Sequence, residues 1–177
     1  MIERTLVILK PDAVRRKLCG KVIGTFEDAD LDILAAKLFT PSSQLLDKHY
    51  SNNPAYVESL GHKALNSAKD QGADIKQGFG TDNALEIGVA VRKRLLDYMS
   101  GPVMAMVLQG NDAIRIVRKL CGTTNPADAD PSTIRGKFCN DSLNFSAFEK
   151  RAVRNLMHAS GNAEEAAAEI ELWFGKI

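Results

Sequence analysis

Histidine, cysteine and aromatic residues are all scarce in this chain, and each scarcity excludes something. The three cysteines, Cys19, Cys121 and Cys139, are an odd and scattered set with no C-x-x-C pair. They do not make a disulfide framework, and they point to a reducing, cytoplasmic setting. The three histidines, His49, His62 and His158, are too far apart in sequence for a zinc spacing. Aromatics make up 6% of the chain, too few for an RNA-reading sheet, and "RGKFCND" does not match the aromatic stretch such sheets carry. Neither sign of charge dominates, with 23 basic against 22 acidic residues. There is no bulk attraction to nucleic acid or to an anionic membrane, so any anion-binding surface has to be local. No run approaches the roughly 18 apolar residues of a membrane span. The apolar start "TLVIL" stops at Lys10 and Pro11, too early for a signal peptide. Finally, neither G-x-x-x-x-G-K-[ST] nor G-x-G-x-x-G occurs, so a phosphate site would have to be built from side chains.

What is present is an ordinary globular composition, 45% hydrophobic and 25% charged over 177 residues, which fits one domain. Strands are expected at Thr5–Leu9, Leu31–Thr40, Val103–Gly110 and Ala152–Ala159. Between them lie helical patterns. One carries Val22, Ile23 and Phe26, and a short one has Ser43 as N-cap. A longer one has Leu85, Val89, Leu95 and Leu96 as its apolar stripe, and the basic cluster Arg92, Lys93 and Arg94 as a solvated face. Another runs from Asn111 as N-cap to Gly122. "TTNPADADPSTIRGKF" reads as an irregular surface loop. Asn162 caps the last helix with Glu165 as capping-box partner, and Ala163, Ala166, Ala167, Ile170 and Phe174 form its buried side. The alternation of strands and helices fits a parallel α/β sheet and a ferredoxin-like β-α-β arrangement equally well.

His158 ends the last strand pattern and is followed by the small residues Ala159, Ser160 and Gly161. Glu169 lies about two turns into the helix that follows. A carboxylate holding one imidazole nitrogen leaves the other free as a nucleophile, and a neutral imidazole needs no further activation. Lys10 at a strand end, Arg118 on a helix and Arg135 in a loop could stabilise phosphoryl transfer together with Thr124. Taken singly, each has a plain structural explanation: a hydrogen-bonded histidine, solvated charges, a turn residue.

In order along the chain, "ERTLVILKPDAV", "HY" at His49 and Tyr50, "SGPVMAMVLQG", "VRKLCGTTNPADADPSTIRGKF" and "RNLMHAS…EEAAAEIELWF" resemble the nucleoside diphosphate kinase family. The resemblance implies a ferredoxin-like four-stranded antiparallel sheet covered by helices, in a hexamer or tetramer of identical chains. It implies a ping-pong reaction in which a nucleoside triphosphate phosphorylates a histidine that then phosphorylates a nucleoside diphosphate. By that resemblance His158 is the nucleophile and Glu169 orients it. Lys10, Tyr50, Arg118, Thr124, Arg135 and Asn155 hold phosphates and sugar, and Ser160 sits beside the histidine. Mg²⁺ arrives with the nucleotide, with no protein metal cage, and neither nucleic acid nor membrane is a partner.

The chain departs from the family pattern in three places. Gly-Ser-Asp after the histidine is replaced by Ala159, Ser160 and Gly161, and a positive φ at Ala159 would cost about 1 kcal/mol. The stretches 53–97 and 139–151 look longer than in short members. The family stacks the base on an aromatic ring in the first of them. Tyr56 and Phe79 are the candidates there, with packing inside the insertion as the alternative for each. With no residue identified that reads a base edge, broad base tolerance is expected. A scaffold that has lost the chemistry would not be expected to keep His158, Glu169, Lys10 and both arginines together.

Overall fold

"TLVIL" is apolar without alternation because both faces of its strand are covered. In the computed structural model, which describes residues 1–177, this run lies in β1 (Ile2–Leu9). It is followed by α1 (Pro11–Arg15), α2 (Cys19–Glu27), β2 (Asp32–Phe39) and α3 (Ser43–His49). Then come α4 (Pro54–Asp70), α5 (Ile75–Phe79), α6 (Ala84–Met99), β3 (Val103–Asn111) and α7 (Ala113–Cys121). A 3₁₀ turn at Pro126–Asp128, α8 (Ile134–Phe138), α9 (Leu143–Phe148), β4 (Met157–Ala159) and α10 (Ala163–Phe174) complete the chain. The sheet order is β2-β3-β1-β4 and every pairing is antiparallel. This is the ferredoxin-like arrangement and rules out the parallel sheet.

Successive strand side chains point to opposite faces, so β1 feeds two cores. Val7 and Leu9 join Val22, Phe26, Met106, Leu108 and Val117 on one face. Leu6 and Ile8 join Leu46, Met99, Val107, Ile170 and Trp173 on the other. β1 and β3, central and buried on both sides, are the continuous apolar runs. β2 is an edge strand and alternates exposed with half-buried positions.

Several boundaries differ from the sequence reading, each for a local reason. Ser42, not Ser43, caps α3, its side chain accepting the Leu45 N–H. Asn111 remains in β3, and Asp112 precedes α7 in a left-handed conformation (φ 49°) without capping it. Glu3 of β1 supplies that cap instead, accepting the Ile114 N–H at 3.2 Å. The "TTNPADADPSTIRGKF" segment is not wholly irregular, since it contains the 3₁₀ turn and α8. On α6, Leu85 and Val89 are exposed, and the buried positions are Ile87, Gly88 and Met99. A Cβ at Gly88 would fall on the Val57 carbonyl, and one at Gly61 on that of Ala84. Two glycines therefore set how closely α4 and α6 approach. On α10 the buried face is Ala166, Ile170 and Trp173, while Ala163 and Ala167 face outward.

Candidate active site

The site forms where β1 ends beside β4. β4 is short: only Met157–Ala159 pair with Leu9, Ile8 and Val7, not the whole of 152–159. The chain before it turns through Leu156, which is fully buried at φ 67°. A bulky residue in that region costs about 1–3 kcal/mol, and the surroundings hold it there. The Leu156 N–H donates to Asp12 Oδ2 at 3.2 Å, and its carbonyl accepts the Lys10 N–H at 2.7 Å. Arg135 completes the clamp. Its guanidinium donates to the carbonyls of Asn155, Gly122, Thr123 and Met157 at 2.8–3.2 Å. Arg135 is thus a buried staple joining the 122–124 loop to the strand that carries His158.

His158 sits opposite Ile8, its side chain 24% exposed. Its Nε2 lies 2.8 Å from Glu169 Oε1, and Ser160 Oγ donates to Glu169 Oε2 at 2.6 Å. Burial works to raise the Glu169 pKa, but the hydrogen bonds from His158 and Ser160 and the nearby rings outweigh it and hold the carboxyl below its ordinary value. An ionised carboxylate can only accept, so Nε2 is the donor in this contact, and in a neutral ring Nδ1 is the nitrogen with the free lone pair. Ser160 is itself fixed, accepting the Leu6 N–H at 3.2 Å.

His49, which the sequence marked only as part of "HY", packs edge-on against the His158 ring at 4.7 Å and accepts the Trp173 indole N–H on Nδ1 at 3.2 Å. Burial, reinforced by the neighbouring His158, pushes its pKa down to about 3, so it is a neutral prop. His49 Nδ1, His158 Nε2 and Glu169 Oε1 all lie within 4.8 Å of one another, but the indole proton occupies the His49 lone pair that a metal would need. His49 and Trp173 fall within the quoted "HY" and "EIELWF" pieces, but nothing in the sequence shows that they meet. What links them is the pairing of α3 with α10, invisible from spacing.

Lys10, Arg118, Thr124, Arg135, Asn155 and His158 line one cleft of about 190 Å³. The Lys10 Nζ donates to Asn155 Oδ1 at 2.6 Å, and the Asn155 amide donates to the Thr124 carbonyl at 2.9 Å. Burial, and after it the Arg135 charge, pull the Lys10 pKa down to about 8. Arg118 is exposed and makes no ion pair. Cations, an amide and a hydroxyl around an unprotonated imidazole nitrogen suit a phosphate chain. Glu169 and Ser160 lie behind His158 rather than in the cleft. Tyr50 is also outside the lining, in the second core with its ring 4.7 Å from that of His49.

At the sequence departure, Ala159 lies in extended strand, so the expected strain does not arise. The Gly161 N–H donates to Glu165 Oε2 at 2.8 Å, and a Cβ at 161 would come within 2.6 Å of that oxygen. The carboxylate of Glu165 fills the room a side chain at 161 would take. Of the expected solvated face of α6, Lys93 is exposed, but the two arginines are not free. Arg92 donates to the Tyr50 and Ser51 carbonyls and pairs with Asp47, and Arg94 lies over the Phe79 ring at 4.3 Å. Of the two aromatic candidates, Phe79 lines a separate cavity beside the cleft and Tyr56 lines neither.

Comparison with known proteins bears on this geometry. A family model described as nucleoside diphosphate kinase matches residues 3–59 and 90–177. The nucleoside diphosphate kinase of Pyrobaculum aerophilum is 44% identical over 174 residues, covering 98% of this chain and 95% of that one. Nucleoside diphosphate kinase 3 of Homo sapiens is 37% identical over 173 residues, covering 97% and 77%. The crystal structure of an NDP kinase from P. aerophilum aligns with a TM-score of 0.90 at 42% identity, over 98% of this chain and 96% of that chain. A transition state mimic of the Borrelia burgdorferi enzyme, with bound vanadate and ADP, aligns with a TM-score of 0.75 at 33% identity, over 98% and 87%. By sequence, by fold and along nearly its whole length, the chain belongs to the nucleoside diphosphate kinase family.

Proposed function

We propose that the chain transfers the γ-phosphate of a nucleoside triphosphate to a nucleoside diphosphate by way of a phosphohistidine at His158. The observation that carries this reading is the Nε2 contact of His158 with an ionised Glu169, at 2.8 Å, in a ring that lines a cleft with Lys10, Arg118 and Arg135. The proton on Nε2 leaves Nδ1 to attack phosphorus. The N–P bond forms as the bond from phosphorus to the β–γ bridging oxygen breaks, and the electron pair stays on the departing diphosphate. In the second half-reaction a terminal oxygen of a new diphosphate attacks phosphorus and Nδ1 leaves. Charge on the transferring group is met by the Lys10 ammonium and the Arg118 guanidinium. Arg135 has four of its five donors on main-chain carbonyls. Its part is chiefly to hold Asn155 and the 122–124 loop in place and to add a positive field.

Asn155 and Lys10, bonded to each other, are placed to meet sugar and phosphate together. Tyr50 acts from behind, supporting His49. The cleft lining contains no carboxylate, so Mg²⁺ carried on the nucleotide's phosphate oxygens would supply charge neutralisation there. Assembly with identical chains belongs to the same reading, and the edge strand β2 carries exposed Leu34 and Leu38.

The test is incubation of the protein with Mg-ATP labelled on the γ-phosphate, without acceptor. The expected result is an acid-labile, alkali-stable label that is absent in His158→Ala and is chased off by any accepted nucleoside diphosphate. A label that persists in His158→Ala would overturn the assignment.

A further inference from the structure

Four arginines meet in a recess that shares no lining residue with the basic cleft. Arg15 and Arg16 come from the end of α1, and Arg151 and Arg154 from the segment that leads into β4. The recess encloses about 230 Å³, against about 190 Å³ for the cleft. Two carboxylates, Asp12 and Asp141, also line it. Four positive charges against two negative leave an excess of two in one place, in a chain whose whole net charge is +1.

The carboxylates are already committed. Asp141 takes two hydrogen bonds from Arg151, at 2.6 and 3.0 Å, and accepts the N–H groups of Ser142 and Arg154 at 3.0 and 2.8 Å. Asp12 Oδ2 accepts the Leu156 N–H at 3.2 Å. Arg15, Arg16 and Arg154 are exposed and make no ion pair. Three unpaired guanidiniums around one hollow repel one another, and an anion seated among them removes that repulsion. The guanidinium fork matches the spacing of phosphate oxygens.

The wall of the recess is also the support of the cleft. Asp141 holds the Arg154 N–H and Asp12 the Leu156 N–H. Between them sits Asn155, which bonds Lys10 Nζ and the Thr124 carbonyl. An anion that ties Arg154 to Arg15 and Arg16 braces this turn against α1.

We propose that the recess binds a compact oligophosphate anion at Arg15, Arg16 and Arg154, as a second site distinct from the catalytic cleft, and that its occupancy steadies the turn that holds Asn155 against Lys10. An enclosed hollow with three free cations suits a di- or triphosphate group and not a polymer lying across a surface.

The experiment is a calorimetric titration of the full chain at constant free Mg²⁺, with ADP to saturation and then with pyrophosphate. One pyrophosphate per chain is expected to bind after ADP has filled the cleft. Arg16→Ala and Arg154→Ala should each weaken it about tenfold. Lys137→Ala, which removes an exposed positive charge outside the recess, should leave it unchanged. A second ADP per chain with the same sensitivity to both arginine variants would also support the site, and would identify a nucleotide's tail as the source of the phosphate. Hydrogen exchange at the Arg154 and Leu156 amides should slow severalfold on binding, and unchanged exchange would overturn the bracing. Neither pyrophosphate nor a second ADP bound, or binding that both arginine variants leave intact, would overturn the site. So would binding lost equally in Lys137→Ala, or binding of single-stranded DNA or anionic vesicles through these arginines without pyrophosphate. Failure of ADP to bind at all would instead count against the nucleotide reading, and the pyrophosphate titrations of the arginine variants would still decide the recess.

Discussion

The basic cleft and the apolar cavity beside it are held by different kinds of contact. In the cleft and directly behind it, polar side chains are tied to one another and to the main chain: Arg135 to four carbonyls and Lys10 to Asn155 in the lining, Glu169 to His158 and Ser160 behind it. Around the cavity, helices approach closely at Gly61, Gly88 and Gly78, where a Cβ would meet the neighbouring helix. The first kind of contact fixes atoms where charge moves. The second sets the size of a space. The family model covers every residue of the cleft lining and leaves out 60–89, which supplies only part of the cavity wall.

Four perturbations would break or sharpen this contrast. Arg135→Ala should have the largest effect, because it strands buried carbonyls on two segments at once. A stability loss of about 3–5 kcal/mol is expected, measured by chemical denaturation. A loss below about 1 kcal/mol would mean the staple is dispensable. Glu169→Gln should leave the fold intact and slow phosphorylation about a hundredfold with little change in KM. Rapid-quench kinetics reads this directly, and an unchanged burst would remove Glu169 from its orienting role.

Gly61→Ala acts on the other region. Forcing a methyl onto the Ala84 carbonyl should destabilise the α4/α6 pair by about 1–3 kcal/mol. Faster hydrogen exchange should be confined to those helices, and phosphoenzyme formation should be retained.

The smallest effect is a pH dependence. Lys10 titrates near 8 in the folded protein against 10.5 for a free lysine. Its charge, and with it the affinity for phosphate, should fall as pH rises through 8, and Lys10→Met should flatten that part of the binding profile. The stability term has the opposite sign. The unfolded chain binds the Lys10 proton more tightly, so between pH 8 and 10.5 this group makes folding more favourable as pH rises.

The strands were legible in the sequence because β1 and β3 are continuous apolar runs, and their order followed from the resemblance. His158, Glu169, Lys10, Arg118, Arg135, Thr124 and Asn155 were all named from sequence, and the fold brings them within one neighbourhood. What escaped depends on contacts distant along the chain. Glu3 caps α7 from 111 residues away, so Asn111 looked like the cap. Ala152 to Asn155 read as strand because they are short and mixed, yet Arg135 and Asp12 hold that segment in a turn through Leu156. Trp173 and His49 meet across α10 and α3, 124 residues apart. The α6 stripe at Leu85 and Val89 had the right period and the wrong face, because Gly88, with no side chain to score, marks the buried side.

The central claim is that Glu169 fixes the proton on Nε2 of His158 and thereby assigns the nucleophile. A ¹⁵N–³¹P correlation spectrum of the chain phosphorylated by Mg-ATP tests this most directly. The account predicts a single phosphorus bonded to Nδ1 of His158. Phosphorus on Nε2, or on any other residue, would contradict it.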